Sequence, residues 1–185
     1  MTDLIAVAAE LQKFCEKQHW NFCIIGGLAL LFWGEQRLTK DVDLTLLTGF
    51  GEEEIYIDAL LEKFSPRIED AKNFALRNRV LLLQTADKIG IDISLGAFPF
   101  EETMVNRAAP QKYLPKISLR ICSAEDLIVL KAFAARSKDW NDIQTVLIKQ
   151  RKLDWKYINE QLAPLVELKE EPEILAKLER LKKEI

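Results

Sequence analysis

One stretch restricts what this chain can fold into more than any other. Phe22-Cys23-Ile24-Ile25 is a short apolar run, Gly26-Gly27 breaks it, and Leu28 to Trp33 can continue as a helix. A second apolar run then opens with Asp41-Val42-Asp43-Leu44. Strand, glycine pair and helix in this order leave free backbone N–H groups at a helix start, where an anion such as phosphate is favoured. The plainer reading of the glycine pair is a tight turn. In a strand, Asp41 and Asp43 point to one face, and Val42 and Leu44 point to the other. Two carboxylates on one face repel each other and lose solvation, and a cation between them removes both problems. The competing reading is a solvated strand end with Lys40 or Arg37 as a surface partner.

The chain can support a buried site of this kind. It has 185 residues, 49% apolar and 30% charged, which is enough for a real core and unlike a disordered chain. A formal charge of -3 argues against a general nucleic-acid coat or an acidic-membrane binder, and leaves a local basic patch open. Cys15, Cys23 and Cys122 lack metal-type spacing, and without a secretory signal they read as buried thiols in the cytoplasm. No apolar run reaches the roughly 18 residues of a membrane span, so no membrane partner is expected. His19 is the single histidine and reads as a helix-end or packing residue, which disfavours a zinc hydrolase.

Further elements follow from periodicity. Residues 3–18 and 52–64 have helical apolar spacing, and 42–47, 80–84 and 89–95 read as strands, the last two forming a hairpin. Within the hairpin, Asp92 sits between Ile91 and Ile93, where strand propensity and burial both disfavour it. Such a residue is a site candidate, or else an edge-strand carboxylate facing water. Residues 103–122 carry Arg107, Lys112, Lys116 and Arg120 with Pro110 and Pro115, which predicts a loop or extended connection. Its charge suits a solvated loop, or a contact to phosphate or RNA. Ser123 to Asp126 is a capping box that opens a helix with Lys131 inside its apolar face. Asp139 and Asp142 share a helix face three residues apart, as in a salt-bridged surface. From Leu153 onward the chain reads as helical, ending in a narrow stripe of Leu175, Leu178 and Leu181. The fold class is therefore α+β: a small mixed sheet with flanking helices over 1–105, then a helical part over 106–185.

Asp41, Asp43 and Asp92 each interrupt an apolar strand pattern, and a glycine pair at a helix start precedes the first two. A phosphate cradle beside carboxylates that suit a hard cation fits phosphoryl or nucleotidyl transfer with Mg²⁺ or Mn²⁺.

Gly26-Gly27, then Arg37-Leu38-Thr39-Lys40-Asp41-Val42-Asp43-Leu44, then Ile91-Asp92-Ile93 resembles the nucleotidyltransferase fold of the DNA polymerase beta superfamily. With Lys131, Arg136, Lys138-Asp139 and Asp142 added, the chain is most similar to the AbiEii-like nucleotidyltransferase toxin family. The resemblance spans roughly residues 22–145. Many superfamily members have Gly-Ser where this chain has Gly26-Gly27. The resemblance implies transfer of a nucleoside monophosphate from an NTP to an acceptor hydroxyl, with pyrophosphate released. It implies that Asp41, Asp43 and Asp92 are the catalytic, metal-holding carboxylates. Gly26, Gly27, Arg37, Thr39, Lys131, Arg136 and Asp139 are implied to contact nucleotide. It implies a tRNA or protein acceptor and a cognate antitoxin partner. Two alternatives stand beside it: a non-catalytic binding module of the same fold, and an antibiotic-type enzyme that modifies a small molecule.

Overall fold

The computed structural model describes residues 2–35 and 38–185. Arg37, one of the implied nucleotide contacts, lies outside the described residues. The described chain runs α1 (Thr2–Lys17), β1 (Phe22–Ile24), α2 (Gly26–Trp33), β2 (Asp41–Leu47), α3 (Glu53–Lys63), β3 (Ser65–Pro66), α4 (Ala71–Asn78) and β4 (Val80–Gln84). It continues with β5 (Gly90–Gly96), α5 (Pro99–Arg107), β6 (Ala109–Leu114), β7 (Ile117–Ile121), α6 (Ala124–Ala134), α7 (Ser137–Lys149), α8 (Trp155–Lys169) and α9 (Glu173–Glu184). Two compact units result. One holds the chain through Leu28 together with Leu38–Cys122, and the other holds Ser123–Ile185 and the stretch that follows Leu28.

The first unit is built on a sheet of order β3-β4-β5-β2-β1-β7-β6. It is mixed: β2 runs parallel to β5 and antiparallel to β1, while β4 runs antiparallel to β5. Strand β2 shows why its sequence alternates. Val42, Leu44 and Leu46 are fully buried, while Asp41 and Asp43 are only partly covered on the opposite face. Ile91 and Ile93 of β5 are buried in the same way around Asp92. Each such side chain contributes about 1.5–3 kcal/mol through burial, so the apolar face fixes strand register and the carboxylates follow it. Helix α1 buries Leu4, Ile5, Ala8, Leu11 and Cys15, the spacing of a single helical stripe. It stops at His19, whose φ of 58° marks a left-handed helix end, as a helix-end histidine requires.

Two expectations need correction. The glycine pair is not a turn ahead of the helix, because α2 begins at Gly26 itself. The connection expected over 103–122 is instead the end of α5 followed by the β6–β7 hairpin, which pairs into the sheet through β7 and β1. Pro110 is tolerated because β6 is the sheet's edge, where a missing N–H removes no interior ladder bond. Within residues 38–185 the compact units divide between Cys122 and Ser123. Arg120 is not a free phosphate contact: its guanidinium donates to the carbonyls of Phe22 at 3.3 Å and Val105 at 3.0 Å. A register shift between Lys112 and Leu114 accompanies Tyr113, whose hydroxyl donates to the Leu28 carbonyl at 2.6 Å.

The second unit is helical. Its capping box forms as the sequence predicts: Ser123 Oγ accepts from the Asp126 amide at 3.1 Å, and the Asp126 carboxylate accepts from Ser123 Oγ at 2.7 Å. The Tyr157 hydroxyl donates to the other oxygen of Asp126, so this buried carboxylate is satisfied on both sides. The last carbonyls of α2 are capped by α7. Gln150 Nε2 donates to the Trp33 carbonyl at 2.8 Å, and Lys149 Nζ donates to Gly34 at 2.9 Å. Among the described residues no helix is long and apolar enough to cross a membrane.

Candidate active site

The three strand carboxylates converge because of register. Strands β2 and β5 pair in parallel with Asp43 opposite Asp92 and Asp41 opposite Gly90. Asp41 and Asp43 are two apart, so all three acids lie on one face of adjacent strands.

The glycines make room for them. Gly26 has φ of 59°, and a Cβ there would lie 2.1 Å from Asp43 Oδ2. A Cβ on Gly27 would lie 2.4 Å from Thr39 Oγ1. The Gly27 amide donates to Asp43 Oδ2 at 3.3 Å, so one helix-start N–H is already engaged by a carboxylate of the chain itself. Thr39 Oγ1 donates to the Asp41 carbonyl at 3.3 Å, which ties Thr39 to the start of β2. Gly26, Gly27, Thr39, Asp41, Asp43 and Asp92 are therefore assembled in one place.

Sequence reasoning missed Arg67. Its amide donates to the Leu82 carbonyl at 3.0 Å, just beyond edge strand β3, and Leu82 is the β4 partner of Asp92. That alignment delivers the guanidinium to the acids. Nη2 lies 2.5 Å from Asp92 Oδ1, and Nη1 lies 3.5 Å from Asp41 Oδ1. Gly90 keeps the path open, since a Cβ there would lie 2.6 Å from Arg67 Nη1 and 2.1 Å from Asp41 Oδ1. An arginine after a two-residue strand carries no sequence signal, because only the pairing of β3 with β4 aligns it. Burial pushes the Asp92 carboxyl above its ordinary range, and the Asp41 charge acts in the same direction against the counter-pull of Arg67.

Lys131, Arg136, Asp139 and Asp142 gather within the helical unit. Lys131 Nζ lies 2.6 Å from Asp142 Oδ2 and 3.4 Å from Asp139 Oδ1, with all three side chains at most 7% exposed. Arg136, 62% exposed, holds Asp139 from outside at 2.6 Å. This is a buried ion network, where a salt-bridged surface was the expectation.

The donor set suits a hard cation in part. Mg²⁺ commonly takes one or two carboxylates plus substrate phosphates, and Asp41 and Asp43 supply oxygen donors of that type. Among the described residues no group of three or more acidic, histidine or cysteine side chains is arranged to hold a metal ion. The third carboxylate, Asp92, is engaged by Arg67.

The family described as nucleotidyltransferase of unknown function (DUF6036) matches residues 2–177. The chain belongs to this nucleotidyltransferase family. It is thereby an enzyme family member of the general kind the sequence implies, while the AbiEii-like assignment finds no match of its own. No curated protein matches the chain in sequence. Among solved structures, the chain is similar to the antibiotic-resistance factor ANT(2'')-Ia in solution, at 15% identity and a TM-score of 0.60, covering 100% of this chain and 99% of that one. ANT(2'')-Ia in complex with adenylyl-2''-tobramycin gives 16% identity and a TM-score of 0.57, covering 89% and 97%. The lincosamide antibiotic adenylyltransferase LnuA, lincomycin-bound, gives 13% identity and a TM-score of 0.53, covering 76% and 94%. At these identities the likeness is one of fold, and the fold is the nucleotidyltransferase one expected.

Proposed function

We propose that this chain transfers a nucleoside monophosphate from an NTP to the hydroxyl of a small-molecule acceptor. The acceptor oxygen bonds to the α-phosphorus, the bond to the β-phosphate oxygen breaks, and pyrophosphate leaves. A carboxylate of the site or water takes the hydroxyl proton. The observation that carries this reading is the register that sets Asp43 opposite Asp92 with Asp41 on the same face, beside Gly26.

The roles follow from placement. Asp41 and Asp43 hold a divalent cation, Mg²⁺ or Mn²⁺, and Asp92 is the third carboxylate of the set. When bound, such a cation supplies positive charge against the phosphate oxygens. Gly26 and Gly27 bring backbone close to the triphosphate, with no side chain in the way. Thr39 lines that approach, and Arg37 remains a proposed phosphate contact. Lys131, Arg136 and Asp139 are proposed as a second nucleotide-contacting group: the buried acids orient Lys131, and Arg136 presents an exposed guanidinium. The cytoplasm, where NTPs are held, is the compartment this reaction requires.

A small acceptor is favoured because ANT(2'')-Ia, solved with adenylyl-2''-tobramycin, and the lincosamide antibiotic adenylyltransferase LnuA, solved with lincomycin, match over nearly their whole length. The test is label transfer from each of four NTPs, with Mg²⁺ or Mn²⁺, to aminoglycosides, lincosamides, total tRNA and protein. Label on a small acceptor, lost in Asp43→Asn with folding intact, is the expected result. Label on tRNA or protein, with growth arrest relieved by an antitoxin, would replace the small acceptor by the toxin-type reading. No transfer or NTP binding under any condition would remove the enzymatic proposal.

A further inference from the structure

The Arg67 guanidinium bridges two carboxylates that the proposed reaction assigns to a metal. It reaches Asp92 Oδ1 at 2.5 Å and Asp41 Oδ1 at 3.5 Å. Its position is built. The backbone amide is fixed to the Leu82 carbonyl, and Gly90 leaves the gap that Nη1 occupies. Both Arg67 and Asp92 are 31% exposed, so their contact is drier than an ordinary surface ion pair. A charge-assisted bond in such a setting is well above the negligible strength of a fully exposed pair.

We propose that Arg67 is the resident counter-cation of the carboxylate set and competes with the divalent metal for Asp92 and Asp41. The inference rests on the reading of Asp41, Asp43 and Asp92 as metal-holding residues. A guanidinium satisfies carboxylates as a planar donor of hydrogen bonds, whereas a divalent ion takes their lone pairs directly. An Oδ1 that already accepts from the guanidinium is a weaker donor to a metal, and the guanidinium charge beside it repels a divalent ion. Metal binding is therefore opposed by Arg67 for as long as the guanidinium stays on Asp92. Arg67 thus acts through Asp92 and Asp41 as a positioning residue that lowers metal affinity.

Mn²⁺ binding by the full chain tests this, read by calorimetry and by the electron paramagnetic resonance signal of free Mn²⁺, without NTP. The proteins compared are wild type, Arg67→Gln, Arg67→Lys and Asp43→Asn. Arg67→Gln should bind Mn²⁺ about tenfold tighter than wild type at unchanged stoichiometry, the scale of one released charge-assisted bond. Its metal-free form should melt at lower temperature, and added Mn²⁺ should raise its melting temperature more than that of wild type. Arg67→Lys, which keeps the charge but not the fork, should fall between the two. Equal or weaker Mn²⁺ binding by both Arg67 variants, with binding still abolished in Asp43→Asn, overturns the competition and leaves the site reading intact. Binding that Asp43→Asn does not weaken, or no binding by any form, overturns the site reading and the competition with it. Should Arg67→Gln fail to fold, Arg67→Lys alone decides between tighter and unchanged binding.

Discussion

Gly26 and Asp43 approach so closely that a single methyl group on Gly26 would lie 2.1 Å from the Asp43 carboxylate oxygen. The contact couples the start of α2 to the middle of the proposed metal site. The left-handed φ of 59° makes the same demand independently, since a side chain there costs about 1–2 kcal/mol.

Gly26→Ala should therefore lower stability by at least that amount and displace Asp43. A urea midpoint and an Mn²⁺ titration on the same sample check it. The expected outcome is a folded protein whose metal binding falls more than its stability does. Unchanged metal binding would show that Asp43 does not need its present position.

Gly90→Ala should act through two neighbours at once, Asp41 and Arg67. Misplacement of reacting groups by about 1 Å can cost roughly 10²-fold in rate. Gly96→Ala is the control on the same strand, because its new methyl would meet side-chain carbons of Leu47 and Thr45 at 3.1 Å, far from the acids in register. Initial transfer rates should drop strongly for the first substitution and little for the second.

Lys131→Met removes the shared cation of a buried network and leaves two carboxylates without it. Breaking a buried pair from one side costs about 3–5 kcal/mol, whereas removing the buried cation and both buried carboxylates together costs less, the exposed Arg136 being left to water. Denaturant melts should accordingly rank Lys131→Met below the triple variant Lys131→Met, Asp139→Asn, Asp142→Asn. The reverse order would mean that the network stabilises as a whole.

The acid limb of stability should carry the mark of Asp139. Burial alone would push its carboxyl up, but the hydrogen bond from Arg136 and the charge of Lys131 bring it below the ordinary value of 3.8. A carboxylate lowered in the folded state contributes stability above its unfolded pKa and loses it as pH falls through the folded one. Wild type should weaken progressively below about pH 4, and Asp139→Asn should show a shallower slope there. Melting temperatures between pH 3 and 6 measure both.

Much of the site can be read from local pattern. Asp41, Asp43 and Asp92 stand out because each breaks an alternation that Val42, Leu44, Ile91 and Ile93 otherwise keep. The capping box at Ser123 and Asp126 needs only its own four residues. What could not be read depends on pairing between distant segments. Arg67 is a partner of Asp92 only through β3 and β4, and β3 is two residues long. Gly90 has no visible role until β5 lies beside β2. The prolines at 110 and 115 argue for an irregular connection, and only the edge position of β6 allows a strand there. Lys131 reads from sequence as a cation inside an apolar helix face, because its acidic partners lie on the next helix in the chain.

The sheet also ranks the parts of this site by permanence. Asp43 and Asp92 sit on β2 and β5, each laddered on both sides, so losing them requires opening the middle of the sheet. Arg67 hangs from the outermost and shortest strand, where opening costs least. The acids are thus anchored for the lifetime of the fold. Their arginine partner is tethered by an edge strand that can fray without disturbing them.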